Sequence, residues 1–92
     1  MMEGRILVTP EQLDNVANQF RSGSEQSQQL IARLNQQIQG MEGQWDGMTK
    51  QRFFTQFQES KRLMDQYVQN LNEIERELKA IATRFRQADQ QA

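Results

Sequence analysis

The chain has 92 residues, enough for one domain with a small core. Hydrophobic residues make up 36% and charged residues 25%, with a single proline, and the mean hydropathy is -0.90: polar, but without the breaker content of a disordered linker. The net charge is -1 with both signs interleaved, which argues against nucleic acid or an anionic membrane as partner, and the absence of cysteine and histidine removes disulfides, thiolate chemistry, the usual metal sites and the usual general base.

An excess of Gln, Arg, Glu and Leu over Val, Thr and Gly favours helix throughout, with Ile6-Leu7-Val8 the one stretch of strand character. Before Thr9 there is neither the apolar run of ~7–15 residues of a secretory signal nor the ~20 of a spanning helix. Export of this chain is therefore expected to need no cleavable signal peptide. The first helix has a clear start. Thr9 suits the N-cap, Pro10 the first helical position, and Gln12 the reciprocal place in a capping box, while Val8 and Leu13 stand where a hydrophobic staple would.

From there the seam runs Leu13, Ala17, Phe20, Ser24, Ser27, Ile31, Leu34, Ile38, Met41, in steps of four and three, the pattern of a helix packed along a near-parallel or antiparallel neighbour. Ser24 and Ser27, next to Gly23, read equally as a close approach to another helix or as a weak spot in the seam. Gly40 or Gly43 can end this helix, with Gly43 the better C′ candidate. At ~1.5 Å per residue it is about 50 Å long.

Gly43-Gln44-Trp45-Asp46-Gly47 follows, a turn signal containing the only tryptophan. The second helix can begin at Asp46, whose carboxylate suits a helix start, or at Thr49. Its seam reads Phe53, Phe57, Ser60, Met64, Tyr67, Leu71, Ile74, Leu78, Ile81, Phe85, Ala88, and Phe54, Leu63 and Val68 widen the stripe beyond what one partner helix covers. The expectation is all-α: a single hairpin domain over 1–92, with helix one about 10–42, a Trp-x-Gly turn at 43–47, helix two about 48–87 and a frayed tail at 88–92. Folding at Trp45 sets position i opposite about 90 minus i, so that Leu34 meets Phe57, Phe20 meets Leu71 and Leu13 meets Leu78, and residues beyond Leu78 project past the first helix. The wide stripe calls for a second hairpin, giving a dimeric four-helix bundle, by default a homodimer. Its core is expected at Leu13, Phe20, Ile31, Leu34, Ile38, Phe53, Phe57, Met64, Leu71 and Leu78.

Nothing supports catalysis. Glu73 and Glu77 stand with Arg76 and Lys79 in a solvated helical charge pattern, and no nucleophile, metal ligand set or phosphate loop accompanies them. No cofactor, no metal and no catalytic residue are expected. Phe53, Phe54 and Phe57 at helical spacing read as core rather than as a stacking platform for bases, since Lys50 and Arg52 are a thin basic supply. Trp45 reads either as a lid on the end of the bundle or as a recognition element.

With Trp45-Asp46-Gly47 at the midpoint of two helices, the chain resembles the WXG family of small secreted helical hairpins, the early-secreted-antigen-like proteins exported by type VII (ESX) secretion systems. The resemblance covers essentially the whole chain. It implies a second export motif near the end of helix two, Tyr-x-x-x-Asp/Glu, matched here by Phe85-Arg86-Gln87-Ala88-Asp89 with Phe in place of Tyr. It also implies a membrane-anchored FtsK/SpoIIIE-like ATPase as partner, pairing with itself or with a paralogous hairpin, folding in the cytoplasm and export as a folded dimer. In an antiparallel dimer, Trp45 and Gly47 of one chain would flank Phe85 and Asp89 of the other. A cytoplasmic coiled-coil adaptor is the alternative, with no use for the tryptophan turn; stable membrane insertion is not expected from so polar a surface.

Overall fold

The computed structural model describes residues 7–91: an all-helical hairpin measuring 68 × 25 × 15 Å. Helix α1 spans Pro10–Met41, a short 3-10 turn covers Glu42–Gln44, and α2 spans Met48–Gln91. Ile6 lies outside the described residues, and Leu7 and Val8 take no regular secondary structure.

The start of α1 follows from its capping chemistry. Thr9 is extended (φ -102°, ψ 157°), its Oγ1 accepts from the Gln12 amide at 3.1 Å, and its own amide donates to Gln12 Oε1 at 2.8 Å. Two amides that the helix cannot pair internally are thereby satisfied. The end of α1 differs from expectation. Gly43 is not a left-handed terminator; the helix tightens into the 3-10 turn and leaves through Trp45 in extended conformation (φ -131°, ψ 134°). Among the described residues, positive φ is confined to Gly47, at +100°. The reversal is therefore made later than the first glycine able to make it.

This delay moves the register. Ser24 faces Asn72 and Arg21 faces Glu75, so paired positions sum to 96 rather than to about 90. The reason lies in the connection: Trp45 is extended, a conformation that advances ~3.3 Å per residue, and with Asp46 and the bend at Gly47 it carries the chain beyond the end of α1 before α2 begins. Leu13, Phe20 and Leu34 accordingly face levels about one and a half turns further along α2 than a symmetric fold at Trp45 gives, although the expected neighbours Phe20 and Leu71 still border one dip. The expected projecting tail disappears with the same shift. Phe85, Ala88 and Asp89 border one cleft with Val8, Thr9 and Pro10, so the end of α2 lies alongside the start of α1. Residues 88–91 continue the helix, consistent with the absence of a glycine or proline stop there; Ala92 lies outside the described residues.

The seam of α1 is close to the expected one: Ala17, Ser24 and Ile31 are buried and Leu13, Phe20, Ser27, Leu34 and Ile38 half-buried, whereas Met41 is exposed. The seam of α2 is rotated from the expected line. Phe57, Val68, Leu71 and Ala82 are buried, while Ser60, Tyr67 and Ile74 face outward, Tyr67 being 57% exposed. Following the bulkiest residues in α2 traces the outer stripe for part of its length; the hairpin contact runs through smaller and polar positions, Lys61, Asn72, Glu75, Lys79 and Ala82.

The hairpin consequently has two unlike broad faces. One carries the pairs that cross between helices: Arg21–Glu75 at 3.1 Å, Arg86–Asp14 at 2.7 Å, and Ser24 Oγ donating to Asn72 Oδ1 at 2.6 Å on the buried seam. The other, by helical periodicity, presents Val16, Phe20, Leu30 and Leu34 from α1 beside Leu63, Tyr67, Leu71, Ile74, Leu78 and Ile81 from α2. Phe20 and Leu71 share a dip on this second face. No charged residue lies along it between Leu13 and Met41 of α1 or between Leu63 and Phe85 of α2.

Candidate functional site

At the closed end of the hairpin, three residues with different roles follow one another. Gly47 adopts φ +100°, a region closed to most L side chains, yet a Cβ built there would meet nothing within 4 Å. The glycine is required by the backbone rather than by crowding. Its amide donates to Asp46 Oδ1 at 2.8 Å, and its carbonyl accepts from the Gln51 amide at 3.4 Å, the first turn of α2. Asp46 thus places negative charge at the positive end of that helix, one residue before the capping position.

Trp45 turns back onto the first turns of α2. Its ring centroid lies 5.3 Å from Phe53 and 6.3 Å from Phe54; Phe53 and Phe54 meet edge to face at 5.6 Å, and Phe53 stacks with Phe57 at 6.3 Å. These are ordinary separations for favourable aromatic pairs. The three phenylalanines are thus packing residues, and they hold the tryptophan in one orientation. Trp45 remains half-buried, with exposed Met41 and Met48 nearby in the chain. It closes the end of the aromatic cluster and keeps part of its own surface exposed.

The other end carries Phe85 and Asp89, the residues expected to match a tail motif. Phe85 is half-buried and Asp89 exposed, and with Val8, Thr9, Pro10 and Ala88 they border a shallow cleft between the end of α2 and the start of α1. Arg86, between them, donates to Asp14 Oδ2 at 2.7 Å and approaches Glu11 at 3.7 Å. The hydrogen bond to Asp14 raises the pKa of a guanidinium that is already charged at any ordinary pH. Phe85 and Asp89 are four residues apart and share a helix face. In a single chain, however, Trp45 and Asp89 are separated by nearly the whole of α2, ~60 Å.

The residues expected in the core differ in how far a single hairpin covers them. Ile31, Phe57 and Leu71 are buried, and Leu13, Phe20, Leu34, Ile38, Phe53, Met64 and Leu78 are half-buried. The Ser24–Asn72 pair and the Arg86–Asp14 contact have no counterpart among the sequence-derived residues. Both join positions that only the true register brings together. Glu73 and Glu77 are exposed, and among the described residues no group of three or more His, Cys, Asp or Glu side chains is placed to hold a metal. No helix among them is long and apolar enough to cross a membrane.

Comparison with known proteins gives consistent matches. The family WXG100, "Proteins of 100 residues with WXG", matches residues 5–90. An ESAT-6-like protein of Streptococcus agalactiae is 31% identical over 85 residues, covering 92% of this chain and 88% of its own. The type VII secretion system extracellular protein A of Staphylococcus aureus is 28% identical over 86 residues, covering 94% of this chain and 89% of its own. Among solved structures, the wild-type secreted protein EsxB of Bacillus anthracis superposes with a TM-score of 0.85 at 40% identity, over 90% of this chain and 89% of that one. EsxA of Geobacillus thermodenitrificans superposes with a TM-score of 0.82 at 36% identity, over 95% of each chain.

Proposed function

The chain belongs to the WXG100 family, and from that membership we propose that it is exported as a folded antiparallel homodimer whose export signal is assembled from two chains. It is a small secreted substrate of a type VII secretion system. Trp45 and Gly47 of one protomer supply half of the signal, and Phe85 and Asp89 of its partner supply the other half. The surface so formed is read by the membrane-anchored FtsK/SpoIIIE-like ATPase after the protein has folded in the cytoplasm. The protein acts by being recognised, and no catalytic role is assigned to it.

The observation that carries this reading is the charge-free face. A single hairpin leaves Val16, Leu30, Leu63, Tyr67 and Ile74 between 40% and 57% exposed, and by helical periodicity they lie on one side of the molecule. Large apolar side chains left exposed together on one face support reading it as an interface. A second copy laid antiparallel on this face brings like surface onto like and closes a four-helix bundle. Phe85 shares the face, so the same operation sets the tail of each chain beside the tip of the other. The register adds support: Phe85, Ala88 and Asp89 lie alongside the start of α1 rather than projecting past it.

The test is export of single substitutions. Trp45→Ala and Asp89→Ala are each expected to abolish appearance in the culture medium while circular dichroism and the dimeric mass are retained. Normal export of both variants would overturn the two-motif signal, and loss of the dimer in Trp45→Ala would reduce the tryptophan to a lid. Detection only inside cells, independent of the ATPase, would favour the cytoplasmic adaptor instead.

A further inference from the structure

We propose that Arg86, clamped by Asp14 and Glu11 of α1, is a positioning residue that holds the end of α2 docked and helical so that Phe85 and Asp89 are presented as a fixed surface. The inference rests on the reading of Phe85 and Asp89 as export residues and goes beyond it, because it assigns a role to side chains that neither motif specifies.

Three observations support it. Beyond Ala82, the last buried residue described in α2, the helix has little to pack against: Phe85 is half-buried, and residues 83, 84 and 86–89 are exposed. Helix ends with so little burial open at low free-energy cost. The contact from this stretch to α1 that crosses by hydrogen bond is Arg86, donating to Asp14 Oδ2 at 2.7 Å with Glu11 at 3.7 Å. Finally, the pair ties together positions 72 residues apart on the two helices, while Phe85, Ala88 and Asp89 complete the cleft with Val8, Thr9 and Pro10. A charge-assisted bond there restrains both termini of the hairpin at once.

The clamp also lies off the charge-free face. By helical periodicity Arg86 and Asp14 point with Arg21 and Glu75 toward the polar side, so they take no part in the proposed dimer contact. Loss of the clamp should leave the dimer and the Trp45 end intact and affect the tail alone. A general folding residue would not show that separation.

The experiment uses the full chain. In Asp14→Asn and Asp14→Arg, amide exchange of residues 85–89 is expected to accelerate about two- to fivefold, the range for an exposed ion pair, while exchange around Phe57 and Leu71 is unchanged. Export is expected to fall with the docked fraction of the tail, most in Asp14→Arg, with the dimeric mass unchanged. Arg86→Lys should retain most export, and the charge-exchanged pair Asp14→Arg with Arg86→Asp should recover both tail protection and export relative to Asp14→Arg alone. Faster tail exchange with undiminished export would overturn the proposal. So would lost export with unchanged tail exchange, or failure of the charge-exchanged pair to recover either property. The underlying export reading fails differently, by normal secretion of Asp89→Ala.

Discussion

Trp45 and Gly47 belong to one motif but act through different physics. Gly47 is held at φ +100° in open space, so Gly47→Ala adds backbone strain without a clash and should destabilise the hairpin by ~1–2 kcal/mol, read from the urea midpoint. Trp45 packs on Phe53 and Phe54 yet stays half-exposed, so Trp45→Ala should cost ~2 kcal/mol, less than the truncation of a fully buried tryptophan. If the motif is recognised as proposed, export loss in Trp45→Ala will exceed what this stability loss explains, and Trp45→Phe will separate ring packing from indole recognition. Ser24 is the polar residue most enclosed in the seam, 2% exposed, donating to Asn72 and accepting from Gln28 Nε2 at 3.4 Å. Asn72→Ala leaves that hydroxyl without its acceptor and should cost ~1–2 kcal/mol in chemical denaturation.

At the scale of the helices, the sequence made α1 legible almost to the residue, because its signals are local. A cap, a proline and a capping-box glutamine each act within one turn, and all agree with the observed start at Pro10. Local chemistry did not reveal the register. At the observed sum of 96 the positions directly opposite Leu13, Phe20 and Leu34 are Thr83, Arg76 and Arg62, with apolar Ala82, Leu78 and Leu63 within two residues, so matching apolar residues one to one favours a sum of about 90 and does not find the true register. What separates these alignments is the path through extended Trp45 and the bend at Gly47, together with three polar contacts: Ser24–Asn72, Arg21–Glu75 and Asp14–Arg86. The same ambiguity turned the reading of α2, where Tyr67 and Ile74 look more core-like than Ala82 yet face outward. Of the candidate site, the Trp-x-Gly turn could be found from its residues and the proposed tail motif only by resemblance, and the support beneath them could not be found from the sequence. Arg86–Asp14 depends on the register, and the role of Gly47 rather than Gly43 as the left-handed residue depends on where the reversal falls.

At the scale of the whole molecule, the account turns on the pairing of charge-free faces. An interface without ion pairs has little electrostatic attraction to screen, so the dimer should survive a rise from low to molar salt with undiminished mass, and salting-out should tighten it. A dimer that dissociates in salt would place the contact on the polar side instead. Stability should also be flat between about pH 6 and 8, since the chain has no histidine or cysteine to titrate there. Toward acid, Glu59 illustrates the sign. Its hydrogen bond from Arg62, and then that charge, lower its pKa from the ordinary carboxylate value, so what the pair adds to stability is present above that ordinary value and is lost as pH falls through the lowered one. Thermal melts across this range will show whether stability declines only in acid.

The central claim, that one export surface is built from two chains, is tested most directly by complementation between variants. Trp45→Ala and Asp89→Ala, each retained in the cell when expressed alone, should both appear in the medium when expressed together, because their mixed dimer regains one intact surface from Trp45 of one chain and Asp89 of the other. Continued retention of both chains despite a demonstrated mixed dimer would contradict the account, since it would mean that each chain must carry the complete signal itself.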